Sequence, residues 1–175
     1  MGEGEKQGIK KIAKAIDTIN KNTKGCKVTI CLETTAGGGT QIGGKFEHLQ
    51  AILNLVKHPD RVKTCLDTCH ISVAGYDMTS QDKAKQVFTQ YDNTVGFDNL
   101  AVFHLNDAKD PPGSKRDRHE HIGEGTVGKH AFQYIMNVKQ FQNCPMILET
   151  PKKTNDKGTL WDKINLNRLR RMAIG

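Results

Sequence analysis

The chain has 175 residues, and its 26 Lys and Arg against 19 Asp and Glu leave a formal charge of +7. Its apolar runs, such as Val28 to Leu32, fall far short of the ~18 to 20 residues that span a bilayer, which excludes a transmembrane helix. Met1 leads into Gly-Glu-Gly-Glu-Lys rather than a basic and then apolar leader, and the five cysteines contain no Cys-x-x-Cys pair; a cytoplasmic or nuclear setting with reduced thiols and no membrane partner is expected.

In chain order, Ile9, Ile12, Ala13, Ile16 and Ile19 recur at helical spacing while Lys10, Lys11 and Lys14 fall elsewhere on the wheel, so an amphipathic helix is predicted that stops at Gly25. A buried strand over Lys27 to Glu33 runs into the glycine-rich stretch Thr35 to Gly44. Phe46, Leu49, Ile52, Leu53 and Val56 form the next helical face, followed by a strand over Val62 to Asp67. Ser80 is a candidate N-cap for a helix burying Ala84, Val87, Phe88 and Tyr91, and Leu100 to Leu105 is a third strand. A charged loop with Pro111-Pro112-Gly113 runs from Asn106 to about Val127; a loop of that length is either functional or disordered. Ala131, Phe132, Ile135 and Met136 make a short helix, Met146 to Glu149 a fourth strand, and Trp161, Ile164, Arg168, Leu169 and Met172 a last helix.

Strands alternating with helices predict an α/β chain of parallel βα units, whose functional groups collect at the strands' C-terminal ends. The four strands end in Glu33, Asp67, His104 and Glu149, each about one βα unit apart, so a parallel sheet brings them to one rim. Like charges ~4 Å apart repel by about 4 kcal/mol at an effective dielectric near 20, and bound cations are the simplest remedy for three carboxylates together. His70 lies just beyond the second strand, and Asp117-Arg118-His119 lies in the long loop. Mixed imidazole and carboxylate sets favour zinc, manganese or iron(II) over calcium or magnesium. Paired ions are a recurring device for phosphoester hydrolysis, and the basic surplus points to a polyanionic substrate.

The strings LETTAGGG from Leu32, GGKFEHL from Gly43, CLDTCHISVAGYD from Cys65, HLNDAK from His104, GSKRDRHEHIGEG from Gly113 and LETP from Leu148 closely resemble the endonuclease IV family of zinc-dependent apurinic/apyrimidinic endonucleases. The resemblance implies the C-terminal half of a (β/α)8 TIM barrel, with about four parallel strands alternating with helices, so that residues 1–175 form a partial barrel domain lacking the N-terminal strands. It implies DNA repair by cleavage 5′ to abasic sites to leave a 3′-hydroxyl, together with 3′-end cleaning. By matching motif, Glu33, Asp67, His104 and Glu149 resemble the ligands of one zinc, and His70, Asp117 and His119 those of a second. Glu33 is the implied bridging carboxylate, Glu149 the residue that orients or deprotonates the attacking water, and Arg118 a contact to a DNA phosphate oxygen. Manganese is an alternative metal.

Two departures stand out. Thr34 replaces the Asn that usually follows the strand-end Glu, which affects hydrogen bonding around the ligands. The family's third zinc is completed by two histidines from earlier strands, and of that site this sequence retains Glu33 alone. Four βα units leave open sheet edges, so a partner is expected: an N-terminal half supplied by another chain, further length of the same protein, or a homo-oligomer. By itself the half is expected to bind up to two zinc ions and to cleave abasic DNA poorly. The alternatives are a noncatalytic zinc- or DNA-binding remnant or assembly subunit, and a sugar isomerase or epimerase of the same superfamily. Bland readings apply to His121 as a solvated loop residue, to His48, His58 and His130 as surface or packing positions, and to Lys152, Lys153, Arg168, Arg170 and Arg171 as a solvated basic face. Gly37 to Gly39 serve as a phosphate cradle or a connector, and Glu124 as an anchor for the loop's return.

Overall fold

The computed structural model describes residues 4–173. Helix α1 (Glu5–Asn22) buries Ile9, Ala13 and Ile16, one per turn, against Ile52 and Val56 of the next helical unit; Ile19, counted on the same stripe, is 47% exposed. Strand β1 (Ile30–Glu33) follows, then α2 (Phe46–Leu55), β2 (Val62–Asp67), α3 (Thr68–Ala74), α4 (Gln81–Thr94) and β3 (Leu100–His104). Strands β4 (Asp107–Ala108) and β5 (His119–Glu120), helix α5 (Lys129–Asn137), β6 (Met146–Ile147) and α6 (Trp161–Met172) complete the chain. The main sheet is parallel throughout in the order β1-β2-β3-β6, so consecutive βα units lie side by side and β1 and β6 are its edges among the described residues. This is half a barrel, as expected. No helix among the described residues is long and apolar enough to cross a membrane.

Several boundaries differ from expectation, each for a local reason. Residues 27 to 29 stay outside the sheet because their neighbour, Pro59–Arg61, is a 3-10 turn, and Arg61 instead donates to the Val28 and Thr23 carbonyls. The fourth strand stops at Ile147 rather than Glu149, since the Glu149 N–H is taken by the side chain of Asn106. Helix α3 has no counterpart among the elements expected from spacing: Asp67 Oδ1 accepts from the His70 N–H as its N-cap, and Gly75, at φ +119°, closes it. Ser80 caps α4 as predicted, accepting from the Lys83 N–H.

The long loop is ordered. Its ends zip as the antiparallel ribbon β4–β5, and its tip docks on the last turn of α3, where Gly113 and Lys115 donate to the Ser72 and Val73 carbonyls. The return is gathered around Asp107, a fully buried carboxylate that accepts from the backbone N–H groups of Ala108, Gly123, Gly125 and Val127 at 2.9 to 3.2 Å. Gly125 admits no side chain, because a Cβ there would lie 2.4 Å from the Ala108 carbonyl oxygen. In the glycine-rich loop, a Cβ on Gly44 would sit 2.6 Å from Gly37 Cα, so glycine there serves a close backbone crossing.

The main core lies between the sheet and helices α4 and α5, with Phe88, Phe103, Phe132 and Tyr91 fully buried. Phe88 stacks on Tyr134 at 4.7 Å and meets Phe103 edge-on. Phe88→Ala is expected to cost about 3–5 kcal/mol, checked by the shift in urea midpoint at constant slope.

Candidate metal centre

Glu33, Asp67 and His104 stand at the C-terminal ends of adjacent strands, and the parallel register aligns Asp67 with His104. Glu149, two residues past β6, joins them from the sheet edge. One ligand-type atom from each of Glu33, Asp67, His104 and Glu149 lies within 4.8 Å of the others. His104 Nδ1 is 3.0 Å from Glu33 Oε1 and 3.0 Å from Glu149 Oε2. Beside this group a second gathers His70 from α3 with Asp117 and His119 from the long loop. His70 Nε2 is 3.1 Å and His119 Nε2 is 3.3 Å from the same Asp117 oxygen. Glu33 links the groups, with Oε1 also 3.3 Å from His70 Nδ1.

The tautomers suit a cation. His70 Nδ1 donates to the Thr34 carbonyl at 2.7 Å, and His119 Nδ1 to the Glu149 carbonyl at 3.3 Å. In both rings the acceptor nitrogen is therefore Nε2, and both Nε2 atoms are buried without a hydrogen-bond partner. A ligating histidine that donates its other N–H to a carbonyl is the usual arrangement around zinc, so these residues fit a divalent ion. Charge is strongly coupled across the rim. Burial opposes ionisation of Glu33, yet its bonds to His104 and His70 prevail and bring its pKa down to about 2. Burial likewise opposes charge on His70, but the Glu33 bond and the nearby Asp67 and Asp117 lift it to about 9. The Glu33 bond also raises His104. The carboxylates thus favour the charged forms of His70 and His104, and a divalent ion bound at Nε2 of His70 would take the place of that proton.

The structure brings together all seven residues expected as ligands and adds two thiols. Cys65 approaches Glu33 and His104, and Cys69 approaches Asp67 and His119. Burial pushes both thiols up, which keeps them protonated. Cys65 is legible in principle: it sits two positions before Asp67, on the same strand face. Thr34 Oγ1 accepts from the Asp67 N–H, so the departure at this position does touch the hydrogen bonding behind a ligand. Arg118 is not free at the rim: its guanidinium makes two 2.6 Å bonds to Asp110 and holds a side chain that is 56% exposed.

His121 requires a correction. It is buried rather than solvated, stacked on Trp161 at 3.8 Å, with Asn165 bridging it to Thr150. Burial lowers its pKa. This part of the charged loop turns inward because α6 brings Trp161 over it. Arg168 belongs to the same junction, donating to the Ile122 carbonyl and pairing with Glu124 at 2.6 Å, so Glu124 does anchor the loop's return. His48 is also buried, accepting from the Gly43 N–H.

Comparison with known proteins agrees with this architecture. A family described as xylose isomerase-like TIM barrel matches residues 2–171. A probable endonuclease 4 from Geotalea daltonii is 46% identical over 172 residues, covering 98% of this chain and 59% of the relative. An endonuclease 4 homolog of Dictyostelium discoideum is 47% identical over 146 residues, 83% of this chain and 27% of the relative. The crystal structure of endonuclease IV from Thermus thermophilus superposes with a TM-score of 0.80 at 28% identity, over 94% of this chain and 57% of that one. The chain thus spans about three fifths of the length of its bacterial relatives. On this match and this fold, the chain belongs to the xylose isomerase-like TIM-barrel family, in its endonuclease IV branch.

Proposed function

We propose that this chain carries the phosphodiester-hydrolysing rim of a DNA-repair endonuclease that cuts 5′ to abasic sites and cleans blocked 3′ ends. The observation that supports it is the pair of buried Nε2 atoms of His70 and His119, neither of them hydrogen-bonded, converging on one Asp117 oxygen beside the Glu33, Asp67, His104 and Glu149 group. A sugar isomerase or epimerase of the same barrel would share the Glu33, Asp67, His104 and Glu149 set; the further set of His70, Asp117 and His119 favours phosphodiester cleavage, where a second ion would stabilise the leaving oxygen. Glu33, Asp67, His104 and Glu149 would hold one zinc ion and His70, Asp117 and His119 another, with manganese as an alternative. Zinc bound there would polarise the phosphate and make water a nucleophile near neutral pH.

The chain's own groups divide the remaining work. Glu33, with one oxygen near both His70 and His104, ties the two ligand sets into one unit. The Glu149 carboxylate is 44% exposed at the open side of the rim, where it can take a proton from the attacking water. Arg118, restrained by Asp110, presents its outer face to a phosphate oxygen. The open edges at β1 and β6 call for completing strands, supplied by another chain or by further length of the same protein.

Incision of an abasic duplex by the zinc-loaded chain, run beside zinc stoichiometry, tests the proposal. Slow incision 5′ to the abasic site is expected, stopped by chelator and lowered roughly 10²- to 10⁴-fold by Glu149→Gln. Incision that persists in chelator, or a chain that takes up no zinc, would overturn it.

A further inference from the structure

Asn106 stands two residues beyond His104, and its side chain is entirely buried. Both ends of its carboxamide are committed to candidate ligands on different strands. Nδ2 donates to Asp67 Oδ2 at 2.7 Å, and Oδ1 accepts from the Glu149 N–H at 2.8 Å. Its orientation is forced, since the Glu149 backbone N–H can only donate and so must meet Oδ1, which leaves Nδ2 for Asp67. The Asn106 main chain is clamped as well: its N–H donates to Thr68 Oγ1 at 3.0 Å and its carbonyl accepts from that hydroxyl at 2.7 Å.

The sheet alone fixes neither of the two residues it holds. Glu149 lies past the end of β6, whose pairing with β3 reaches only Ile147, so no ladder bond fixes its backbone. Asp67 is in the sheet, but a carboxylate rotates easily about its terminal torsion. Asp67 Oδ2 is also the oxygen turned to the imidazoles, 3.8 Å from His104 Nδ1 and 3.7 Å from His119 Nε2. With Oδ1 held by the His70 N–H and Oδ2 by Asn106, one rotation of that carboxylate remains. An aspartate at 106 would face Asp67 with like charge, and an aliphatic residue would leave a buried donor and acceptor unpaired.

We infer that Asn106 is a positioning residue that locks the Asp67 carboxylate and the Glu149 backbone into one arrangement, so that cation binding by Glu33, Asp67, His104 and Glu149 depends on its carboxamide. This rests on the metal-binding reading above. The test titrates the metal-free full chain with cobalt(II), followed by visible absorption, and then with zinc in competition. Asn106→Ala and Asn106→Leu are expected to weaken cation affinity about 10- to 100-fold and to change the cobalt spectrum at saturation. Phe88→Ala, which lowers stability in the core, is expected to change neither; the same affinity loss and spectral change in that variant would reduce Asn106 to a stability role and overturn the inference. Unchanged affinity and spectrum in Asn106→Ala would also overturn it while leaving the metal reading intact. A wild-type chain that binds neither ion overturns both. Should the Asn106 variants fail to fold, NMR of the wild-type chain decides: the Asn106 side-chain amide protons are expected to resist exchange and to shift as zinc is added, and signals that exchange freely or do not move refute the role.

Discussion

Replacing Asp107 with alanine is expected to lower the stability of the chain by about 3 kcal/mol or more, because each buried donor left without a partner costs ~1–3 kcal/mol and this substitution orphans several. Its two oxygens divide the work: Oδ1 takes the Ala108 and Val127 N–H groups, and Oδ2 takes those of Gly123 and Gly125. These bonds join the start of the long loop to its return, and the stretch between carries Asp117 and His119. Loss should therefore show as a lower urea midpoint and, in hydrogen exchange, as lost protection at Gly123, Gly125 and Val127 ahead of the β2–β3 core. Asp107→Asn is expected to fall in between, since it keeps an acceptor for one pair of amides and turns an NH₂ on the other. An Asp107→Ala chain as stable as the parent would show that water can enter and satisfy these donors.

Zinc is expected to stabilise the metal-free chain by about 4 kcal/mol when present at ~1,000 times its dissociation constant, a shift on the order of 10 °C in the unfolding midpoint for a chain of this size. The rim explains why the effect is stabilising. Glu33, Asp67, Asp117 and Glu149 crowd around His70, His104 and His119, so a divalent cation relieves carboxylate repulsion that only the imidazoles otherwise offset. Asp67→Ala is expected to remove the part of the zinc-dependent shift that comes from the Glu33, Asp67, His104 and Glu149 group, leaving the His70, Asp117 and His119 group to supply the rest. Asp67 also caps α3, so that variant starts from a lower midpoint, and the quantity to compare is the difference with and without zinc by differential scanning calorimetry. A full shift in Asp67→Ala would show that the Glu33, Asp67, His104 and Glu149 group holds no cation.

How far each feature is legible follows from the range of the interaction behind it. Ser80 as a cap and Ala84, Val87, Phe88 and Tyr91 as a buried face are readable because capping and helical spacing act within a few residues. Glu33, Asp67, His104 and Glu149 are readable as candidate ligands because parallel strands carry their C-terminal ends to one rim, whatever lies between, whereas His70, Asp117 and His119 are readable only through the motifs that hold them. Helix α3 escapes such a reading because its cap is the carboxylate of a residue that also ends a strand. His121 looks solvated because its neighbours in sequence are charged, whereas its neighbour in space is Trp161. Arg118 sits between two candidate ligands, yet its guanidinium is claimed by Asp110, eight residues earlier.

By itself, then, the sequence determined the succession of βα units, the residue types at the strand ends and the family they resemble, since these rest on local periodicity and on motifs that survive without coordinates. Only the tertiary structure decided which nitrogen of each imidazole is left for a cation, where the last strand lets go of Glu149, and that Asn106 and Asp107 hold the rim from behind. Those outcomes depend on hydrogen bonds between groups far apart in the chain. Their partners are chosen by packing, which no spacing rule encodes.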